Sequence, residues 1–249
     1  MKTNLLPSET LETRGLVLKA NTERGANRAL WVLTPASGVL RVLAYGSGKV
    51  TSSITGGTQV FTLSDFTLLA RRGIYRVEAA VCVEPFRALT ADFTRYSLSA
   101  HLSEVLCDAA PAGIDCSNLY RLAVCAFYAL TKPERDPELV RAAFTLRLLS
   151  DIGFTPDLDG DALFFNVSEG TLAGKGVPLT PGALAAMRFI LSAPYEKLFS
   201  FTLGPDSLQV LTGVCDDYLR THIGREYPTL NYYRQISVSN QSYFEDKDQ

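Results

Sequence analysis

Residues 13–49, TRGLVLKANTERGANRALWVLTPASGVLRVLAYGSGK, read as three short strands with basic residues along one side. From Thr13 to Lys19, Leu16 and Leu18 fall on one face and Val17 and Lys19 on the other, the alternation of a half-buried strand. The run Asn27–Thr34 carries Leu30, Trp31, Val32 and Leu33 and stops at Pro35, which cannot donate to a ladder. Gly38 supplies a turn, and Val39–Tyr45 makes a third run ending at Gly46-Ser47-Gly48. Strand, turn, strand, turn, strand is a meander.

Downstream, Val60-Phe61-Thr62-Leu63 and Phe66–Ala70 flank Ser64-Asp65, and Ile74–Glu84 is a further extended run closed by Pro85. About five strands in roughly eighty residues, with no long helical pattern among them, matches an OB-type barrel, and an SH3-like barrel has a similar pattern. After Pro85 the apolar period lengthens. Phe93, Tyr96, Ala100, Val105 and Leu106 fit a helix over Ala91–Ala109, broken at Pro111-Ala112-Gly113, and Leu119–Leu130 makes a second stripe. Asp136-Pro137 caps a third helix that ends at Gly153. Thr180-Pro181 opens a fourth, and Gly204-Pro205 opens a fifth that Gly224 ends. Between Pro156 and Pro178 the periodicity fades, leaving a small hairpin over Leu163–Gly170. The polar end SVSNQSYFEDKDQ, residues 237–249, reads as a disordered tail. The expected architecture is α+β: an OB-fold β-barrel over residues 1–84, then an α-helical domain over 85–236 with the insert 156–178.

At 249 residues, 47% hydrophobic and 20% charged, the chain has ordinary globular composition and length for two packed units. The N-terminal ten residues lack the apolar core of a signal peptide, and Leu119–Leu130 is too short to span a bilayer, so a soluble cytoplasmic protein is expected. Five widely spaced cysteines among apolar neighbours read as buried free thiols. The net charge of −2 hides an asymmetry. Residues 1–80 hold ten Lys/Arg against five acids, a balance of +5; of the chain's 24 bases and 26 acids this leaves 14 and 21, a balance of −7. A basic barrel joined to an acidic helical body points to a polyanion contact at the barrel.

Catalytic and metal chemistry find little support. The two histidines, His101 and His222, lie in helices with no Cys-rich or His-rich cluster. Gly46-Ser47-Gly48-Lys49 fails as a phosphate loop: Leu43 stands where the first glycine belongs and Val50 where Ser or Thr should follow the lysine. It reads instead as a flexible basic loop. Asp157, Asp159 and Asp161 alternate as calcium ligands do, but Ala162 and Ser168 occupy positions that an EF-hand gives to glycine and glutamate. Single-stranded nucleic acid, by contrast, needs cations along the phosphates and rings that stack on bases. Arg14, Lys19, Arg24, Arg28, Arg41, Lys49, Arg71 and Arg72 can supply the charge, with Tyr45 and Tyr75 as platforms, while Trp31 reads as core. A merely solvated surface is the plain alternative.

The residues also resemble a known family. Thr13-Arg14-Gly15-Leu16-Val17-Leu18, Arg28–Pro35 and Gly38–Gly46 are similar to the opening of RecO, the bacterial recombination mediator. The pattern continues in Phe61–Phe66, Arg71–Tyr75, Phe144–Phe154, Leu179–Leu184 and Tyr218–Arg225, so that the resemblance spans about Arg14 to Ile236. It implies an OB fold that binds single- and double-stranded DNA, and a helical domain. It also implies annealing of complementary strands, binding of the acidic C-terminal tail of the single-stranded DNA-binding protein SSB, and loading of RecA with RecR, RecF also standing in the pathway. No catalytic residue and no cofactor are implied, and localisation would be cytoplasmic, with the nucleoid. Two departures stand out. Many RecO-like chains carry a four-cysteine zinc module before the Thr-Pro helix, whereas residues 157–178 contain no cysteine, so Leu163, Phe164, Phe165 and Val167 must hold the hairpin by packing, without zinc. The loop after the third strand keeps only Lys49 among Thr51, Ser52 and Ser53, which implies weaker, more salt-sensitive DNA binding. For the SSB tail, an apolar cleft edged by a cation is required, and Arg121, Arg141, Arg147, Arg188 and Arg220 are candidates. An RNA-binding OB protein, a non-catalytic adaptor that uses the basic face for an acidic protein, and an enzyme with His101 or His222 in a cleft are the rival readings.

Overall fold

In the computed structural model, which describes residues 9–49, 52–71 and 73–245, the quoted stretch forms β1 (Glu9–Thr22), β2 (Arg28–Thr34) and β3 (Gly38–Ala44). β1 serves two sides of a barrel. Its first half pairs with β4 (Leu63–Arg71) from Glu9↔Ala70 to Leu16↔Leu63, and its second half with β2 from Leu16↔Leu33 to Thr22↔Arg28. A register shift between Val17 and Lys19 bends the strand between the two ladders. β5 (Ile74–Glu84) pairs with β4 and, through Val42↔Tyr75 and Leu43↔Arg76, runs parallel to β3. The barrel therefore closes in the order β1-β2-β3-β5-β4. That order is the OB arrangement and disposes of the SH3-like alternative.

Val17, Leu30, Val32, Leu40, Val42, Phe66, Leu68 and Val77 fill the interior, with Leu11, Ala20 and Tyr75 packed against them. Ser64-Asp65, the polar pair between the two apolar runs, lies inside the continuous strand β4. The strand tolerates both polar residues because each finds a partner: the buried Ser64 hydroxyl donates to the Gly57 carbonyl at 2.9 Å, and Asp65 pairs across the ladder with Arg14. The β2–β3 turn is fastened by later chain: the Cys116 amide donates to the Pro35 carbonyl at 2.7 Å, Gly113 to Ser37 at 3.0 Å and Val39 to Ala110 at 3.0 Å. Gly38 is required there, since its φ is +61° and a Cβ would stand 2.2 Å from the Pro111 carbonyl oxygen.

The chain divides into two compact units. The first takes in the described residues up to Ala91 together with Ser103–Tyr120, and so reaches past the boundary expected at residue 84. The second comprises Asp92–Leu102 and the chain from Arg121 onward. The helix expected over Ala91–Ala109 is α2 (Phe93–Ala109), started by the Asp92 carboxylate, which accepts the Arg95 amide, and a short α1 (Arg87–Ala91) precedes it. α3 (Ser117–Leu130) follows. α4 (Pro137–Asp151) starts at Asp136, whose carboxylate accepts the Glu138 amide at 2.8 Å. Ten of its 15 residues are buried, so it is a core helix rather than one with a single apolar stripe.

The insert folds as a three-stranded sheet, β6 (Phe164–Asn166), β7 (Thr171–Ala173) and β8 (Val177–Pro178), in the order β7-β6-β8. Of the residues expected to pack it, only Phe165 is fully buried, edge-on to Tyr218 at 5.5 Å; Leu163 and Phe164 are exposed. His222 adds its Nε2 at 3.2 Å from the Val167 carbonyl oxygen. α5 (Pro181–Ser192) is capped by Thr180, and α6 (Pro205–Ile223) ends at Gly224 in the left-handed region. α7 (Pro228–Glu245) corrects the expected tail: Pro228 opens it, Leu230 and Tyr233 are buried at helical spacing, and the helix runs over most of residues 237–249. No helix among the described residues is long and apolar enough to cross a membrane.

Candidate nucleic-acid interface

The outer face of β1, β2 and β3 gathers the site. Because Leu30 and Val32 point into the barrel, Trp31 between them must point out, and the registers Lys19↔Trp31 and Trp31↔Arg41 set a cation on each side of it along one rung. Lys19 Nζ lies 5.1 Å from the indole centroid and the Arg41 guanidinium carbon 5.9 Å. Sequence had placed Trp31 in the core; the structure leaves it half-buried outside, its ring sandwiched by charge. Two residues along the sheet, the next outer rung runs Asn21, Ala29, Leu43 and Arg76. The Arg76 guanidinium lies 4.9 Å from the Tyr45 ring centroid, and Tyr45 is 48% exposed. Arg76 is a residue that sequence reasoning missed, and parity on β5 would have found it: Val77 points in, so Arg76 points out.

The other candidates separate into groups. Arg24 is exposed in the β1–β2 turn, Lys49 is exposed beyond β3, and Arg71 is exposed at the end of β4. Arg28 shares the inward parity of Leu30, emerges at the barrel end and donates to Gln59 at 3.2 Å. Tyr75, proposed as a stacking platform, packs against the barrel core instead, since its partner Val42 points inward. Arg14 belongs to a different side of the barrel, on the β1–β4 ladder, where it binds Asp65 through two bonds of 2.7 and 2.9 Å. That guanidinium holds the Asp65 carboxyl below the usual carboxylate range. Arg72 lies outside the described residues. The basic loop expected to be flexible is tied down: Gly46 N–H donates to Asn27 Oδ1 and Gly48 N–H to the Ala26 carbonyl, both at 2.9 Å, and Thr55 Oγ1 donates to the Lys49 carbonyl at 2.6 Å.

The five arginines proposed for a protein tail are mostly structural. Arg141 is buried and held by Glu138 and by Asp216, which also binds Arg234; this pairing keeps Arg141 above the usual guanidinium range although burial opposes it. Arg147 binds Asp151 at 3.1 Å and donates to the carbonyls of Ile190 and Ala193, and Arg188 donates to those of Leu158 and Gly160. Arg121 pairs with Glu196 on the surface, and Arg220 with Asp217. A cleft of about 110 Å³ between α6 and α7 is lined by Leu219, Tyr227 and Leu230, by Arg220, Arg225 and Arg234, and by the acids Asp216 and Glu226.

Neither histidine joins a reactive group. Burial, helped by Arg141 and Arg234, depresses His101 to about 3, and its Nδ1 lies 3.3 Å from Thr229 Oγ1. Cys116 and Cys215 are buried, but Cys82 is exposed on β5, against the expectation for it. Among the described residues no group of three or more His, Cys, Asp or Glu could hold a metal ion.

The matches to known families agree with this geometry. Residues 8–86 match the family described as recombination protein O N terminal, and residues 90–231 the family described as recombination protein O C terminal. The chain belongs to the RecO family. RecO relatives align along most of its length: the DNA repair protein RecO of Acetivibrio thermocellus is 25% identical over 243 residues, covering 91% of this chain and 97% of the relative. That of Heliobacterium modesticaldum is 29% identical over 232 residues, 83% of each, and that of Desulforudis audaxviator 26% identical over 246 residues, 92% and 98%. The RecO membership identifies a DNA repair protein and accounts for the OB-like barrel followed by helices.

Proposed function

We propose that this RecO-family chain is a non-catalytic, cytoplasmic recombination mediator that binds single- and double-stranded DNA, anneals complementary strands and, with RecR, helps load RecA onto SSB-coated DNA. The observation that carries the reading is the rung Lys19–Trp31–Arg41 with Arg76 and Tyr45 beside it. An OB fold uses this strand 2–3 face for oligonucleotides, the ring offers every base a stacking partner, and the cations sit where a backbone would pass. The three cations, Lys19, Arg41 and Arg76, suit a backbone grip that salt weakens by counterion re-uptake.

The acidic, apolar-ended SSB tail would enter the α6–α7 cleft, where Arg220 and Arg225 meet its charge and Leu219 and Leu230 its terminal side chain. Holding SSB by one unit and DNA by the other raises the effective concentration of each contact, so that modest affinities act together. Annealing of complementary oligonucleotides precoated with SSB, with and without its tail, tests the reading. Acceleration that depends on the tail supports it, and no acceleration on bare or coated strands contradicts it. Arg225→Glu should abolish tail-peptide binding while bare strands still anneal.

A further inference from the structure

We infer that Glu23 is a built-in competitor for DNA phosphate at Arg41, so that the interface is partly self-occupied and binding must displace a carboxylate. The inference rests on the DNA-binding reading above and deepens it. Glu23 Oε1 accepts from Arg41 Nη2 at 3.0 Å, with the two side chains 45% and 55% exposed. Ladder geometry makes this contact unusual. The last β1–β2–β3 rung is Thr22, Arg28 and Ala44, three residues beyond the rung that holds Arg41, or about 10 Å along the sheet. The contact therefore spans that gap from the β1–β2 turn to the middle of β3, with the Glu23 and Arg41 side chains reaching toward each other.

That placement is fixed by the fold. The Glu23 amide donates to the Asn27 carbonyl at 2.8 Å, closing the turn, and the turn is in turn tied to the loop after β3 through Asn27 Oδ1 and the Ala26 carbonyl. A carboxylate held over a guanidinium beside an aromatic platform occupies the position a phosphate oxygen would take. The consequence is a grip in which Lys19 and Trp31 engage first, and Arg41 contributes only once the carboxylate has given way.

An exposed ion pair of this kind sets the scale: Glu23→Gln should tighten binding of a fluorescein-labelled oligothymidylate by between about 1.5-fold and 5-fold. Because Arg41 reaches phosphate in both proteins once the carboxylate has moved, the slope of log K against log salt should change by less than the about 0.7 of one single-strand phosphate. Glu12→Gln, which removes another exposed acid, on the β1–β4 side of the barrel, should give less than half of that gain. In an Arg41→Gln background, Glu23→Gln should give none. Equal gains from Glu12→Gln and Glu23→Gln, or a Glu23→Gln gain that persists without Arg41, would overturn the inference, since either would mean a general charge effect. Wild-type protein that fails to bind the oligonucleotide overturns the functional reading itself, whereas wild-type binding that Glu23→Gln leaves unchanged overturns only the competition.

Discussion

Trp31 is the only tryptophan in the chain, so its own fluorescence reports on the interface without a label. Replacing it by alanine removes the platform between Lys19 and Arg41 while leaving both cations on their strands. Stacking on a protein ring is worth about 1–3 kcal/mol per base, which corresponds to a weakening of about 5- to 150-fold in Kd for one lost stack. Trp31→Phe keeps a smaller ring and should recover most of the loss. Because no phosphate contact disappears, the salt dependence of binding should keep its slope, which separates loss of stacking from loss of charge. The assay is paired: quenching of wild-type emission on titration with oligothymidylate, and anisotropy of a labelled oligonucleotide for Trp31→Ala. Thermal melts should place the variant close to wild type, since the ring packs outside the barrel core. Unquenched wild-type emission at saturation, or an alanine variant binding within twofold of wild type, would show that no base stacks on Trp31.

The remaining predictions follow from the same geometry. Arg76→Gln should weaken oligonucleotide binding and reduce the salt slope by about 0.7, whereas Arg14→Gln, on the β1–β4 side and already bound to Asp65, should leave both within experimental error; equal losses would mean that charge anywhere on the barrel suffices. Arg141→Leu takes the shared guanidinium from Glu138 and from Asp216, which keeps Arg234, and should destabilise the helical unit by about 1.5–3 kcal/mol, read by chemical denaturation, with DNA binding by the intact barrel retained at low denaturant. His101 lies near 3 when folded against about 6.5 when exposed, so between those values the unfolded chain holds a proton that the folded one lacks. Its contribution to stability is complete above about pH 6.5 and declines as pH falls toward 3, by about 1.4 kcal/mol per pH unit. In denaturation curves from pH 7 to 4, His101→Gln should therefore lose less stability than wild type; parallel losses would contradict the assignment.

Much of the fold was legible because strand parity and caps are local. Asp136, Thr180 and Gly204-Pro205 mark helix starts by the residues that satisfy or lack amide donors, and each stands at such a start. What failed depended on distant partners. Ser64-Asp65 looks like a break between two apolar runs until Gly57 and Arg14 arrive to satisfy it, and the end of α7 looks like a tail because the residues after 236 are polar, although Leu230 and Tyr233 anchor its start. At the interface, composition picked out the basic side of the chain but not which cations share a face. Parity along β2 and β5 already assigns Trp31 and Arg76 to the outside and Tyr75 to the inside; hydrophobicity, weighed without parity, reversed the roles of Trp31 and Tyr75. The pairing of Arg14 with Asp65, and of Arg141 with Glu138 and Asp216, joins residues that only the folded chain brings together, except for the helical step from 138 to 141.

In this account of the barrel, single-stranded DNA lies across the outer face of β1, β2 and β3. Photocrosslinking of oligonucleotides carrying 5-iodouracil, followed by mass spectrometry of the adducted peptides, tests it most directly. Adducts at Trp31 and Tyr45 are the predicted result. Adducts confined to the Arg14–Asp65 side of the barrel or to peptides of the helical unit would contradict it.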